Sequence, residues 1–266
     1  MSRKNKFKHK KSLGQNFLIN DDVIDHIIEV SEIEGTNVIE VGPGEGILTD
    51  ALAHSARQVF AIELDDRLIP VLNKKFESID NVKIIKGDIL HMNVKKLIED
   101  NINEDTYKVV ANIPYYITAP IIRLFLELEH KPREIELMVQ KEVGERLVTG
   151  PGKMSLLAVS AQYYADVEYL FTVSKDDFDP VPKVDSAIIK LKVKSQKSKA
   201  NDVEKFFKIV RVGFSAKRKT LANNLANGLQ KDKKDIEQIF VEQGFTKSVR
   251  AQELSIDNWK KISQLI

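Results

Sequence analysis

The chain has 266 residues, 42% of them hydrophobic, which suits one large domain, or a large and a small one, around a sizeable core. The absence of cysteine excludes disulfides and thiolate metal sites, and five scattered histidines (His9, His26, His54, His91, His130) offer no ligand spacing, so no metal is expected. The formal net charge is only +2, no apolar run approaches the roughly 18 residues of a membrane span, and the basic start has no apolar h-region, so a cytoplasmic protein with no membrane partner is expected.

The first predicted element is a helix over 20–31 (NDDVIDHIIEVS), capped by Asn20 or Asp21, with Val23, Ile24, Ile27 and Ile28 on one face. Five strand-like runs follow: 37–41 (NVIEV), 58–63 (QVFAIE), 82–86 (VKIIK), 107–111 (YKVVA) and 135–140 (IELMVQ). Helical patterns at 47–56, 65–78, 93–101 and 118–130 separate them; in the last, Thr118 can cap and Pro120 falls in the first turn, where its missing N–H costs nothing. Near-continuous apolar strands alternating with helices imply an α/β fold with a mostly parallel sheet covered on both faces. Around 163–173 and 185–194 the period switches to two, which predicts antiparallel strands at one edge. The polar stretch 194–202 reads as a linker, and 202–266 reads as helical throughout, with Gly228 and Gly244 as breaks. An α/β domain over 1–196 and a small all-helical domain over 197–266 follow from this.

The charge is unevenly spread. Residues 1–11 carry Arg3, Lys4, Lys6, Lys8, Lys10 and Lys11 without an acid. A second acid-free block holds Lys190, Lys192, Lys194, Lys197 and Lys199, and a third joins Arg211 to Lys217, Arg218 and Lys219. One such block is as readily a solvated face or a guarded sheet edge; three on a nearly neutral chain favour a polyanionic partner.

After the first of the five strands comes EVGPGEGILTDAL, with Gly42, Gly44 and Gly46 spaced as G-x-G-x-G. Glycine there permits positive φ and close approach of backbone to a ligand as a helix begins. No Gly-Lys-Ser/Thr follows, which excludes a P-loop. Glu63 ends the next strand about 20 residues on, where an acid can accept from both ribose hydroxyls, and Asp88 ends the one after. Three successive strand ends form a nucleoside-shaped set, and S-adenosylmethionine fits it better than a dinucleotide whose pyrophosphate needs the longer loop. Asn112 ends the fourth strand and faces the same crevice.

The segment NIPY (112–115) looks like the Asn-x-Pro-Tyr signature of enzymes that methylate exocyclic amines of bases. An adenine N6 lone pair is delocalised into the ring and is a poor nucleophile. The Asn112 side-chain oxygen and the Ile113 carbonyl could each accept one N6 hydrogen, Pro114 would stiffen that carbonyl, and Tyr115 would stack on the base. Tyr116 is expected to pack.

The likeness extends over almost the whole chain. KKSLGQNFL (10–18), IEVGPGEGILT (39–49), ANIPYYITAPI (111–121), MVQKEVGERL (138–147), FDPVPKVDSAIIKL (178–191), RKTLANNL (218–225) and RAQELS (250–255) follow one another in the same order in a single family. Together they resemble the KsgA-type ribosomal RNA adenine dimethyltransferases, whose family includes the erythromycin-resistance methylases and the mitochondrial transcription-factor-B proteins. The resemblance implies a Rossmann-like methyltransferase fold with a C-terminal helical RNA-binding domain. It also implies dimethylation of N6 on two adjacent adenines of a 3′-terminal hairpin in small-subunit ribosomal RNA, with a pre-30S particle as partner and a monomeric enzyme. By the same resemblance Asn16 and Leu18 line the cofactor pocket with Gly42, Gly44, Glu63, Asp88 and Asn112, and Phe178 faces Tyr115 across a flipped adenine. From its own surroundings Phe178 reads as a core residue beside a Pro-rich turn.

The sequence departs from the family pattern at GPGKMSLL (150–157), at SKDDF (174–178), at Gln252 and at Lys217, each of which bears on RNA docking. Alternatives are a large-subunit RNA methylase of the resistance type, an RNA-binding assembly factor whose methylation is dispensable, and a transcription factor or DNA methylase.

Overall fold

The computed structural model describes residues 16–102, 106–195 and 200–266. The basic segment 1–11, most of KKSLGQNFL, and Lys197 and Lys199 lie outside them. The described residues form two compact units, one ending at Gly144 and resuming over Glu168–Val193, the other comprising Glu145–Val167 and Lys194–Ile266.

In chain order the elements of the first unit begin with β1 (Phe17–Leu18), α1 (Asp21–Ser31), β2 (Asn37–Val41), α2 (Ile47–Ser55) and β3 (Gln58–Glu63). Then come α3 (Ile69–Lys75), β4 (Val82–Lys86), α4 (Val94–Asn101), β5 (Tyr107–Asn112), α5 (Thr118–Glu127), β6 (Glu134–Gln140) and α6 (Lys141–Leu147). After α7 (Leu156–Tyr164), the strands β7 (Ala165–Val173), β8 (Phe178–Asp179) and β9 (Ser186–Val193) complete the β-structure. Seven strands form one sheet in the order β4-β3-β2-β5-β6-β9-β7, while β1 and β8 pair separately. β4, β3, β2, β5 and β6 run parallel, and β9 lies antiparallel to β6. Every residue of β2 is buried, as expected of a central strand with both faces covered. The strand order reverses between β2 and β5, and a crevice at the carboxyl ends of the strands belongs at that switch point.

The five predicted parallel strands agree with the observed ones to within a residue, and the helix at 20–31 begins one residue after its cap. The Asn20 side chain accepts from the Asp22 amide at 3.0 Å. Thr118 is not the cap of α5. It lies inside the helix, because a 3-10 turn over Tyr115–Ile117 runs directly into it and the Thr118 amide donates to the Tyr115 carbonyl. Residues 163–164, read as the start of a strand, are the last turn of α7.

The second basic block is also corrected. Lys190 is buried in the first unit's core rather than presented to a polyanion, as is Lys108 of β5, which lies outside the block. Lys190 pairs with Glu136 at 3.0 Å and Lys108 with Glu134 at 2.6 Å. The two ammonium groups also donate to Val30, Ser31 and Glu32, the carbonyls that α1 leaves open at its C-terminal end. The Ser31 hydroxyl joins the cluster through the Glu136 carboxylate. Lys192 and Lys194 are taken by Glu168 and Asp166, both at 2.8 Å.

In the second unit, α7 packs with α8 (Ala200–Gly213), α9 (Leu221–Leu229), α10 (Lys233–Glu242) and α11 (Ile256–Leu265) around Trp259, Phe240, Phe206, Leu225 and Tyr163. The single cut expected after residue 196 therefore differs from the observed division, in which Glu145–Val167 belongs with the helices. Its aromatic and small residues are what those helices bury: the Tyr163 and Phe206 rings lie 4.3 Å apart. Gly228 lies within α9 rather than breaking it, whereas Gly244, at φ 79°, follows the end of α10. The departures at 150–157 and Gln252 meet, since the amides of Gly152 and Met154 both donate to the Gln252 carbonyl. Lys217, Arg218 and Lys219 stand exposed on the turn between α8 and α9, just before Thr220 caps α9. The Leu221 amide donates to the Val249 carbonyl, so exposed Arg250 belongs to the same end of the unit. None of these four cations has an ion-pair partner among the described residues.

Candidate cofactor and base site

At the carboxyl ends of β2–β5 the first unit holds a cavity of about 280 Å³. It is lined by all of the predicted cofactor residues, Asn16, Leu18, Gly42, Gly44, Glu63, Asp88 and Asn112, and by Ile113, Pro114 and Tyr115. Phe178 is the one predicted site residue that does not line it.

β2 delivers the chain into the glycine loop. Gly42 has φ 71°, and a Cβ built there would meet no atom within 4 Å, so the loop is open at that point. Gly44 has φ 59° and is crowded instead: a Cβ would come within 2.6 Å of the Phe17 ring. Both positions need glycine, the first for its backbone conformation alone and the second for close approach as well.

Glu63, at the end of β3, is buried and ties the loop to its own strand. One carboxylate oxygen accepts the Gly44 amide at 3.1 Å and the other the Asp65 amide at 2.7 Å. Burial raises its pKa above the ordinary carboxylate value, against the lowering effect of those two amides. A carboxylate has about four acceptor positions, so Glu63 keeps lone pairs for hydroxyl donors while its position is fixed. Asp88 is held locally: it accepts the Leu90 amide at 3.0 Å and lies 2.8 Å from His91 Nδ1. Burial pushes its pKa up, but the His91 and Leu90 hydrogen bonds outweigh this and the net shift is downward.

Glu40 was not anticipated. It lies in β2 behind the loop, lines the cavity, and is 1% exposed. Burial pushes its carboxyl up to about 8, although the Thr49 hydroxyl donates to it at 2.6 Å and lowers it somewhat. A charged letter inside an otherwise apolar strand was the available signal.

On the other wall, β5 ends at Asn112. Its side-chain amide donates to the Asn16 carbonyl at 3.4 Å, leaving the carboxamide oxygen as an acceptor with no partner among the described residues. Pro114 follows at φ −56° and ψ 133°, and Tyr115 opens the 3-10 turn. The Tyr115 hydroxyl lies 2.8 Å from the hydroxyl of Ser186, the fully buried first residue of β9. Burial raises the Tyr115 pKa, with the Ser186 hydrogen bond opposing. Tyr116 does not pack as expected; it is 61% exposed on the cavity rim.

Phe178 is 2% exposed and packs with Leu18, Ile24 and Ile188, in register with Leu18 across the β1–β8 pair. The ring thus lies behind the Leu18 wall rather than on the cavity surface facing Tyr115. The same segment anchors the chain's entry to the site. The Ile19 amide donates to the Asp177 carbonyl at 2.9 Å, and the Asn20 side-chain amide to the Asp177 carboxylate at 2.8 Å. Among the described residues no group of three or more His, Asp or Glu is arranged to hold a metal.

The chain is similar to several known proteins. Residues 6–266 match the family described as Ribosomal RNA adenine dimethylase. A Ribosomal RNA small subunit methyltransferase A of Bacillus cytotoxicus is 41% identical, over 98% of this chain and 92% of the relative. One from Fusobacterium nucleatum is also 41% identical, over 97% and 98%. Among solved structures, the 23S rRNA methyltransferase ErmE superimposes with a TM-score of 0.74 at 27% identity, covering 94% of this chain and 98% of that one. A dimethyladenosine transferase from Plasmodium falciparum gives 0.76 at 25% identity, covering 92% and 95%. The glycine loop, the strand-end acids and Asn112–Tyr115 thus sit on a fold shared with RNA methylases, and by sequence the chain belongs to the ribosomal RNA adenine dimethylase family.

Proposed function

We propose that the protein dimethylates N6 of two adjacent adenines in a 3′-terminal hairpin of small-subunit ribosomal RNA, with S-adenosylmethionine as methyl donor. It would work as a cytoplasmic monomer on a pre-30S particle. The observation that carries this is the meeting, in one cavity, of Asn112–Tyr115 with the glycine loop, Glu63 and Asp88.

The residues present fit the cofactor. Glu63 and Asp88 supply acceptors for a ribose diol and an adenine amine, and the loop leaves open space at Gly42. When bound, S-adenosylmethionine supplies an electrophilic methyl on a sulfonium sulfur. The chain's own work is on the base. In the first transfer the Asn112 carboxamide oxygen and the Ile113 carbonyl each accept an N6 hydrogen; in the second, one of them accepts the single hydrogen left. In both they draw the lone pair out of the ring and stabilise charge on a nitrogen that then releases its proton to water. Pro114 fixes the direction of the Ile113 carbonyl. Tyr115 stacks on the ring, a contact worth about 1–3 kcal/mol. No side chain is assigned as a strong base. Lys217, Arg218, Lys219 and Arg250 would take RNA phosphates, making binding steeply salt-dependent.

The family also includes large-subunit methylases, and the fold of ErmE is close. The greater identity to small-subunit methyltransferases, 41% against 27%, favours the small-subunit substrate. Incubating the protein with labelled S-adenosylmethionine and under-methylated small or large subunits, then mapping stops by primer extension, tests the choice. Label should enter paired adenines of the small-subunit RNA; label confined to large-subunit RNA, or absent from adenine, would reject the proposal.

A further inference from the structure

The hydroxyl of Tyr115 has a partner that the catalytic motif does not contain. Tyr115 lies at the carboxyl end of β5, in the short 3-10 turn before α5, a place where its ring would otherwise be free to pivot about two torsions. Ser186 lies 71 residues further on, at the first position of β9, with no exposed surface. Their hydroxyls are 2.8 Å apart. Ser186 is itself held in register, opposite Gln140 in the β6–β9 ladder. Its neighbour Asp185 closes the clamp: the Asp185 carbonyl accepts the Lys141 amide at 3.0 Å, and its carboxylate accepts the Lys175 amide at 3.1 Å. The partner of the tyrosine is thus a fixed point of the sheet rather than a mobile surface group.

We propose that Ser186 is a positioning residue for the methylation reaction, holding the Tyr115 ring at the tilt that receives the target adenine. A ring tethered at its far end loses little rotational freedom when a base stacks on it, so more of the stacking energy remains for alignment. An untethered ring accepts the base over a range of tilts. Each degree of tilt carries N6 away from the Asn112 oxygen and the Ile113 carbonyl, so the defect falls on turnover of RNA rather than on cofactor binding. The inference rests on the placement of the base against Tyr115 proposed above.

The experiment compares S186A, Y115F, the S186A/Y115F double variant and Y115A with the parent protein. It measures kcat and KM on under-methylated small subunits and Kd for S-adenosylmethionine. Because S186A and Y115F remove the two ends of one hydrogen bond, each should lower kcat/KM by about 3- to 10-fold. The double variant should lose no more than either alone, and cofactor Kd should stay within about twofold of the parent value. A purely structural Ser186 would instead give a stability loss in S186A that Y115F does not share, with additive effects in the double variant; that pattern overturns the inference, as does parental kcat/KM in Y115F. Y115F keeps the test decisive if S186A folds poorly, since it removes the same bond from the half-buried side. Y115A separates the two claims. If it retains turnover, the base does not stack on Tyr115 at all; if it fails while S186A and Y115F are unaffected, only the role of Ser186 is lost.

Discussion

The two walls of the cavity hold their polar groups in opposite states. On the glycine-loop wall, Glu63 is bonded at both oxygens to the backbone of its own unit, Asp88 is bonded to Leu90 and His91, and Glu40 is sealed behind the loop with Thr49. On the NIPY wall, the Asn112 side-chain amide donates to the Asn16 carbonyl and its oxygen has no partner among the described residues, while the Tyr115 side chain is bonded at the tip of its ring. The first wall is preorganised by satisfying its acids, which suits a ligand that must sit in one place. The second keeps an acceptor in reserve, which suits a base whose amine must be gripped as its charge changes. Both walls keep acceptors for a ligand; what differs is that Glu63 and Asp88 are already fixed by backbone amides, whereas the Asn112 oxygen has no partner among the described residues.

The sharpest way to break this contrast is Asn112→Ala. It removes the unmatched acceptor and should lower kcat by about 10²- to 10³-fold, while S-adenosylmethionine affinity measured by calorimetry stays near the parent value. Retained turnover would remove Asn112 from the chemistry, and a collapse of cofactor binding would make the two walls one.

The next largest effect concerns Glu40. Its carboxyl is held up to about 8 against the ordinary 4.5, so the stability it contributes is complete below pH 4.5 and is lost as the pH rises through 8. Glu40→Gln cannot ionise and should flatten that part of the stability profile, a difference of several kcal/mol across the window. Urea denaturation of both proteins at several pH values checks it; parallel curves would show that Glu40 titrates normally and that the loop wall is not sealed.

Gly44→Ala should cost about 1–3 kcal/mol of stability and weaken cofactor binding, because it combines positive φ with a clash against the Phe17 ring. Gly42→Ala meets open space and should cost less, through φ alone. Equal losses in denaturation and cofactor titration would mean that crowding by Phe17 does not shape the loop. The smallest expected change is in Asp177→Ala, which removes the carboxylate holding Asn20 beside the Asn16–Leu18 segment. Cofactor affinity should fall a few-fold, about 1 kcal/mol, in an isothermal titration, and unchanged affinity would detach that segment from the loop wall.

Much of this was legible in the chain. The five parallel strands could be read because a strand covered on both faces carries a compact run of apolar letters, such as VVA in β5 and LMV in β6, and β2, β5 and β6 are buried almost throughout. Glu63, Asp88 and Asn112 could be placed together because parallel strands bring their carboxyl ends to one edge whatever their sequence separation. Charge was not legible in the same way. Lys190 and Lys217 belong to equally basic runs, yet one neutralises a buried Glu136 at the end of α1 and the other stands in solvent. A run of lysines specifies charge, while the sheet register decides which ones meet an acid. Phe178 likewise read either as a stacking ring or as core, and its pairing opposite Leu18 decided for core.

The sequence by itself thus determined the five parallel strands with the helices between them, the glycine loop and the acids at the strand ends, since each rests on local backbone preference or on a period of two or 3.6. The Asn112–Tyr115 motif was legible through its resemblance to amine-methylating enzymes. Only the tertiary structure decided that Glu145–Val167 joins the helical unit, that Glu40 is sealed from water, and that Ser186 meets Tyr115. Those outcomes depend on contacts between residues far apart in the chain, and no local pattern encodes a partner 71 positions away.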